Sequence, residues 1–186
     1  MNQMSQESES RSEAPSEAQS SQAQSSAETP ASQHRRFAKP QRVAFVQSSW
    51  HREVVEEARI AFLREAEVRH ITNIDVFEVP GSFEIPLHVQ ILAKTRRYTA
   101  IVAAGLVVEN KFVAETVIRA LMDVQLRTEI PVFSAVLAPE QFHETEVHGD
   151  FFRKHFVIKG LEVAKACADT LLSLERLRGQ VAAGIA

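Results

Sequence analysis

Residues 74–94 read IDVFEVPGSFEIPLHVQILAK, and the change of pattern inside this stretch sets the architecture of the chain. Its first six residues, Ile74–Val79, are mostly β-branched or aromatic and predict a strand. Pro80-Gly81 makes a tight turn, which continues through Ser82 and Phe83. From Glu84 to about Tyr98 a helix is predicted, with Pro86 in the first turn, where a missing backbone N–H leaves no hydrogen bond unmade.

The same strand, loop and helix recur on both sides. Arg42–Gln47 (RVAFVQ) predicts a strand and Ser48-Ser49-Trp50-His51 a loop, after which Val54, Val55, Ala58 and Phe62 fall at helix spacing. Ala100–Val108 (AIVAAGLVV) predicts a third strand. A helix from Lys111 to about Arg127 follows, with Val113, Val117, Leu121 and Val124 on one face. Phe112 and Met122 widen that apolar stripe beyond one face, as in a helix that also packs against another subunit. Pro131–Leu137 (PVFSAVL) is the fourth strand, and a long connection, Ala138 to Ile158, leads to a last helix from about Lys159 to Arg178.

Apolar strands with little alternation are buried on both faces, and parallel neighbours need helical crossovers. The predicted fold is therefore α/β, a three-layer αβα sandwich around a four-stranded parallel sheet. Ligands of such sheets bind beyond the carboxyl ends of the strands. That rule selects four loops: Ser48–His51, Pro80–Glu84, Leu106–Asn110 and Ala138–His148.

The first 33 residues differ in kind, with ten Ser, six Gln and no Leu, Ile, Val, Phe, Tyr or Trp. Such a segment cannot build a core, so residues 1–40 are expected to form a disordered polar tail and 41–186 the folded domain. His34 to Pro40 is a short basic bridge between the two. Residues 34–186 carry 20 Lys/Arg against 19 Asp/Glu, which offers no bulk attraction to nucleic acid or to an anionic membrane. With no basic start followed by an apolar run, and no apolar stretch long enough to span a bilayer, a cytoplasmic protein is expected. The single cysteine, Cys167, excludes an internal disulfide and reads as a small buried residue of the last helix. No Cys/His spacing suggests a structural metal.

Two of the selected loops carry recognisable chemistry. Trp50, the only tryptophan, follows a strand end, where an indole either packs in an interface or stacks on a planar heterocycle. In the second loop, Ser82, Phe83 and Glu84 stand at a helix start with free backbone N–H groups. Such a turn holds a uracil or sugar edge, or is simply a helix N-terminus with a favourable acidic residue. His51 reads as an exposed residue at the start of a helix.

The string VPGSFEIP, residues 79–86, resembles the VPGAFEIP-type motif of lumazine synthases, and the similarity runs from Arg42 through the last helix. Val46 to His51, Ala100-Ile101-Val102 with Gly105, Phe112-Val113-Ala114, Pro131-Val132 and Lys159-Gly160 all fall in the family's order. Val124-Gln125-Leu126 with Thr128 to Val132, followed by Phe142-His143-Glu144, looks like the second, decamer-forming type.

The resemblance implies a flavodoxin-like sandwich assembled into pentamers, paired in this type into decamers, with no cofactor and no metal. It implies condensation of 5-amino-6-(D-ribitylamino)uracil with 3,4-dihydroxy-2-butanone 4-phosphate to 6,7-dimethyl-8-ribityllumazine. Carried over by residue, Trp50 would stack on the pyrimidine. Ser82, Phe83 and Glu84 would hold the uracil and ribityl side, and Leu106, Val107 and Val108 would line the floor. Ser134 would come from the adjacent subunit. His148, Arg153 and Lys159 are the candidates for phosphate.

One departure stands out. After its third strand this type of the family carries a loop of the form GGIYRH, which supplies the histidine proposed for proton transfer. Here only Glu109-Asn110-Lys111 separates Val108 from Phe112. None of the seven histidines lies there, and His88 falls within the second helix.

Overall fold

The computed structural model of the chain describes residues 36–108, 111–139 and 146–185. Four strands, β1 (Arg42–Ser48), β2 (Asn73–Val79), β3 (Ala100–Leu106) and β4 (Val132–Leu137), alternate with four helices, α1 (Arg52–Val68), α2 (Ile85–Lys94), α3 (Lys111–Thr128) and α4 (Glu146–Ala182). The sheet is parallel in the order β2-β1-β3-β4. The two central strands, β1 and β3, are buried almost throughout, as their unbroken apolar runs require.

Alternation along each strand divides the core in two. Val43 and Phe45 of β1 point into a cluster with Val54, Val55 and Phe62 of α1 and Phe156 and Cys167 of α4. Ala44 and Val46 point the other way, to Ile85 and Val89 of α2 and Val117 and Leu121 of α3. The three layers expected from the sequence are therefore present, with α1 and α4 on one face and α2 and α3 on the other. Burial pushes the Cys167 thiol up to about 12, in keeping with its reading as an unreactive core residue.

Two boundaries differ from expectation. The last helix begins at Glu146 rather than near Lys159, which shortens the expected connection to residues 138–145. Phe152 and Phe156 stand one helical turn apart and are buried; the helical period was already present in this charged stretch. α2 stops at Lys94 instead of Tyr98, because Arg96 adopts a left-handed φ of 56°. The chain then turns to carry Tyr98 into the core. There its hydroxyl donates to Asp75 Oδ2 at 2.8 Å, and the Arg42 guanidinium meets the same oxygen at 2.7 Å.

Residues 1–35, the bulk of the expected tail, lie outside the described residues. Of the bridge, Phe37 packs against the first cluster and the Ala38 N–H donates to Glu175 Oε2 at 3.4 Å. No helix among the described residues is long and apolar enough to cross a membrane.

Candidate active site

The β1–β2 ladder does not stop at the strand ends. Ser49 N–H donates to Val79 O at 2.7 Å and Trp50 N–H to Pro80 O at 3.1 Å, so the Trp50 loop is zipped to the Pro80-Gly81 turn. The indole lies against that turn. A Cβ on Gly81 would come within 3.0 Å of Trp50 Cε3 and of Glu84 Oε2. Gly81 has an extended backbone, φ −138°, so it is close approach that calls for glycine here. Although its ring lies close to Gly81, Trp50 is still 67% exposed.

Ser82–Glu84 forms one turn of 3-10 helix that leads into α2. Glu84 Oε2 accepts from Gly81 N–H at 2.9 Å, closing the turn on itself. Ser82 is buried, and its hydroxyl donates to Leu106 O at 3.3 Å. The space for it is made by Gly105, where a Cβ would collide with Ser82 Oγ. One hydroxyl thus fastens the β2–α2 turn to the end of β3.

These elements enclose a cavity of about 310 Å³ at the carboxyl ends of β1, β2 and β3, lined by Trp50, His51, Ser82, Phe83, Leu106, Val107, Val108 and Val113. Six of the residues named from the sequence meet there. Glu84 stands beside the cavity with its carboxylate engaged by Gly81. Ser134 is elsewhere: it is exposed on β4, an edge strand, opposite Ala103 of β3, and its Oγ accepts from Val136 N–H.

The phosphate candidates lie on α4. Arg153 bonds Asp150 at 2.5 Å and Lys159 bonds Glu162 at 2.7 Å. Asp150, Glu53 and Glu57 together raise the Arg153 pKa, so this cation is already offset by carboxylates within its own chain. The His148 side chain, like His143, lies outside the described residues.

Sequence reasoning passed over two lining residues, His51 and Val113. His51 enters the cavity wall because it adopts a left-handed φ of 54°, which periodicity does not reveal. Val113 belongs by its spacing to the inner stripe of α3, and the start of that helix also faces the cavity. A larger groove of about 620 Å³ runs between the ends of α3 and α4, lined among others by Leu126, Leu174, Leu177 and Val181. It lies near Pro131, at the amino end of β4, away from the loops that gather polar groups. The smaller cavity is the candidate site.

The model of the 6,7-dimethyl-8-ribityllumazine synthase family matches residues 40–175. The chain belongs to the lumazine synthase family. A relative from Bradyrhizobium diazoefficiens, named 6,7-dimethyl-8-ribityllumazine synthase 2, is 79% identical over 162 residues, covering 84% of this chain and 98% of its own length. A synthase 2 from Rhodopseudomonas palustris is 64% identical, with 81% and 86% covered, and a lumazine synthase from Rhodococcus erythropolis is 58% identical, with 56% and 70% covered. The lumazine synthase match reaches from the basic bridge through most of α4, and so includes every element that shapes the cavity.

Proposed function

We propose that this chain condenses 5-amino-6-(D-ribitylamino)uracil with 3,4-dihydroxy-2-butanone 4-phosphate to 6,7-dimethyl-8-ribityllumazine, phosphate and water, as a step of riboflavin biosynthesis in the cytoplasm. The observation that carries this reading is the cavity itself: an exposed indole on one wall, the turn of the VPGSFEIP motif on the other, and an apolar floor from Leu106 to Val108. Trp50 offers its free face to the pyrimidine, and the Ser82–Phe83 turn presents backbone donors to the heterocycle edge. Glu84 faces the ribityl hydroxyls with its remaining acceptor capacity.

One chain supplies only part of such a site. Ser134 reaches a neighbouring cavity from the open edge of β4, and the cations of α4 reach the phosphate in the same way, in a homo-oligomer built of pentamers. Exposed Phe83, Leu87, Ile91, Phe112, Met122 and Leu126 form a surface too apolar for a free monomer. Sedimentation at micromolar concentration is expected to show a closed oligomer, and a monomer would defeat this reading.

The short Val108–Phe112 connection favours a second reading, in which the chain binds lumazine or flavin, or serves as an assembly scaffold, without turnover. Its support is the sequence itself, in which only Glu109-Asn110-Lys111 stands where the family type has a segment of the form GGIYRH. Losing a positioned acid or base costs about 10²–10⁴ in rate, whereas holding two reactants in register is worth effective molarities up to about 10⁵–10⁸ M. Positioning is the larger effect, so the protein is read as a slow synthase.

A product-absorbance assay separates the alternatives. Formation of lumazine above the uncatalysed rate supports the synthase, and tight binding of lumazine without turnover supports the binder. Inserting Gly-Gly-Ile-Tyr-Arg-His after Glu109 is expected to raise turnover by about 10²-fold or more. Equal rates with and without the insert would show that the short connection carries no defect.

A further inference from the structure

We propose that Gln47 and Glu78 are positioning residues for Trp50, acting through Arg52 at the first turn of α1. As it concerns ligand affinity, the proposal rests on the reading of Trp50 as the stacking platform; as it concerns the order of the indole, it stands alone.

The starting observation is a buried amide in an apolar layer. Gln47 is fully buried and, by alternation, shares a face with Val43 and Phe45. Its Nε2 donates to Glu78 Oε1 at 3.0 Å, and its Oε1 meets no partner among the described residues. The reverse amide orientation would set two acceptors against each other, so the bond to Glu78 fixes which way the amide points. A leucine of similar size would fill the space without burying an unpaired carbonyl. What the glutamine contributes is the orientation of Glu78, its register neighbour on β2.

Glu78 in turn grips Arg52, with Nη2 to Oε1 at 3.1 Å and Nη1 to Oε2 at 3.5 Å, and Arg52 Nε reaches Glu56 Oε2 at 3.2 Å. Glu56 also bonds Arg59. A cation at the first residue of a helix opposes the helix dipole, so apart from its pair with Glu56 the helix end does not call for Arg52 there. It stands two residues after Trp50. Between them His51 holds a left-handed backbone, unusual for a non-glycine residue, which persists only where its surroundings fix it. The Trp50 loop therefore has two anchors. The ladder bonds to Val79 and Pro80 hold it from β2, and the Gln47–Glu78–Arg52 chain holds it from α1.

Because Trp50 is the only tryptophan, its fluorescence anisotropy decay in the free, full-length protein reports the indole alone. In Gln47→Leu and in Glu78→Gln, the amplitude of fast local motion is expected to at least double, while the thermal midpoint of Gln47→Leu does not fall. The Kd for 6,7-dimethyl-8-ribityllumazine is expected to rise about five- to tenfold in each, and in a Trp50→Ala background Gln47→Leu should add nothing. Should Gln47→Leu fail to fold, Glu78→Gln, at a partly exposed position, carries the comparison. Unchanged anisotropy, or a loss of affinity that persists without Trp50, would overturn the proposal. Absence of lumazine binding by the unmodified protein would instead defeat the functional reading, leaving the anisotropy comparison to decide this one.

Discussion

Gly160 of α4 lies directly on Ala58 of α1. A Cβ at position 160 would run into the Ala58 carbonyl oxygen and stand 2.9 Å from Ala61 Cβ, so the two helices touch backbone to backbone at their crossing. Backbone cannot move aside as the end of a side chain can. Gly160→Ala is expected to lower stability by about 2–3 kcal/mol, at the upper end of ordinary overpacking. Chemical unfolding at fixed protomer concentration measures it, and a change under about 0.5 kcal/mol, the size of an ordinary surface effect, would show that the helices slide apart freely.

At Gly81 the close neighbours are side chains instead: the Trp50 ring and the Glu84 carboxylate. Gly81→Ala should therefore fold nearly as well as the parent but tilt the indole off the turn. The expected loss of affinity for 6,7-dimethyl-8-ribityllumazine is about tenfold, or about 1.4 kcal/mol. Calorimetric titration checks it, and unimpaired binding would mean that the ring's seat on Gly81 is incidental.

Trp50→Ala removes the platform altogether. The expected cost to binding is about 1–3 kcal/mol, the range for losing aromatic stacking on a base-like ring. Trp50→Phe should recover part of it. Identical dissociation constants for the parent and Trp50→Ala would take this residue out of the site.

How much of this was legible beforehand differs from residue to residue. The strands announced themselves because β1 and β3, buried on both faces, have no polar residue to break their apolar runs before Gln47. The start of α4 is harder to read, because charged residues and histidines surround Phe152 and Phe156 and leave that apolar pair to carry the helical period. Trp50, Ser82 and Leu106 could be brought together from topology alone, since they follow or end parallel strands. The hydroxyl of Ser82 could not be aimed, because its acceptor, the Leu106 carbonyl, is 24 residues away. The left-handed turn at His51 has no glycine to signal it.

Toward the amino end of β1 and β2, the hydrogen bond from Tyr98 and then the Arg42 guanidinium hold the Asp75 carboxyl below its ordinary value of 3.8. A carboxylate whose folded pKa is depressed contributes stability above its unfolded pKa and loses it as pH falls through the folded one. Asp75→Asn is therefore expected to unfold more easily than the parent at neutral pH. The gap should close as pH drops from about 4 downward. Denaturant midpoints across that window test this, and a gap that stays constant with pH would exclude Asp75 as its source.

α1 ends in a motif that ordinarily uses glycine. Ile71 N–H donates to Ala66 O at 2.8 Å and His70 N–H to Glu67 O at 3.0 Å, with His70 at φ 63° and Ile71 fully buried behind it. His70→Gly relieves the left-handed strain and adds freedom to the unfolded chain, two opposing effects of which the first is larger. A net gain of about 0.5–1 kcal/mol is expected in the unfolding free energy. A loss would show that the His70 side chain makes up for its backbone.

The bond from Ser82 to Leu106 also governs how fast the cavity can be filled. Because the turn after β2 is fastened to the end of β3, that wall and the floor form one stiff body, and entry of a flat ring requires no rearrangement between them. Little disorder is left to be frozen on arrival. Capture should then be a single-step encounter, with an observed rate that climbs in proportion to ligand concentration and does not level off at a plateau set by opening of the protein. Ser82→Ala, which cuts the tie, is the variant in which such a plateau would first emerge.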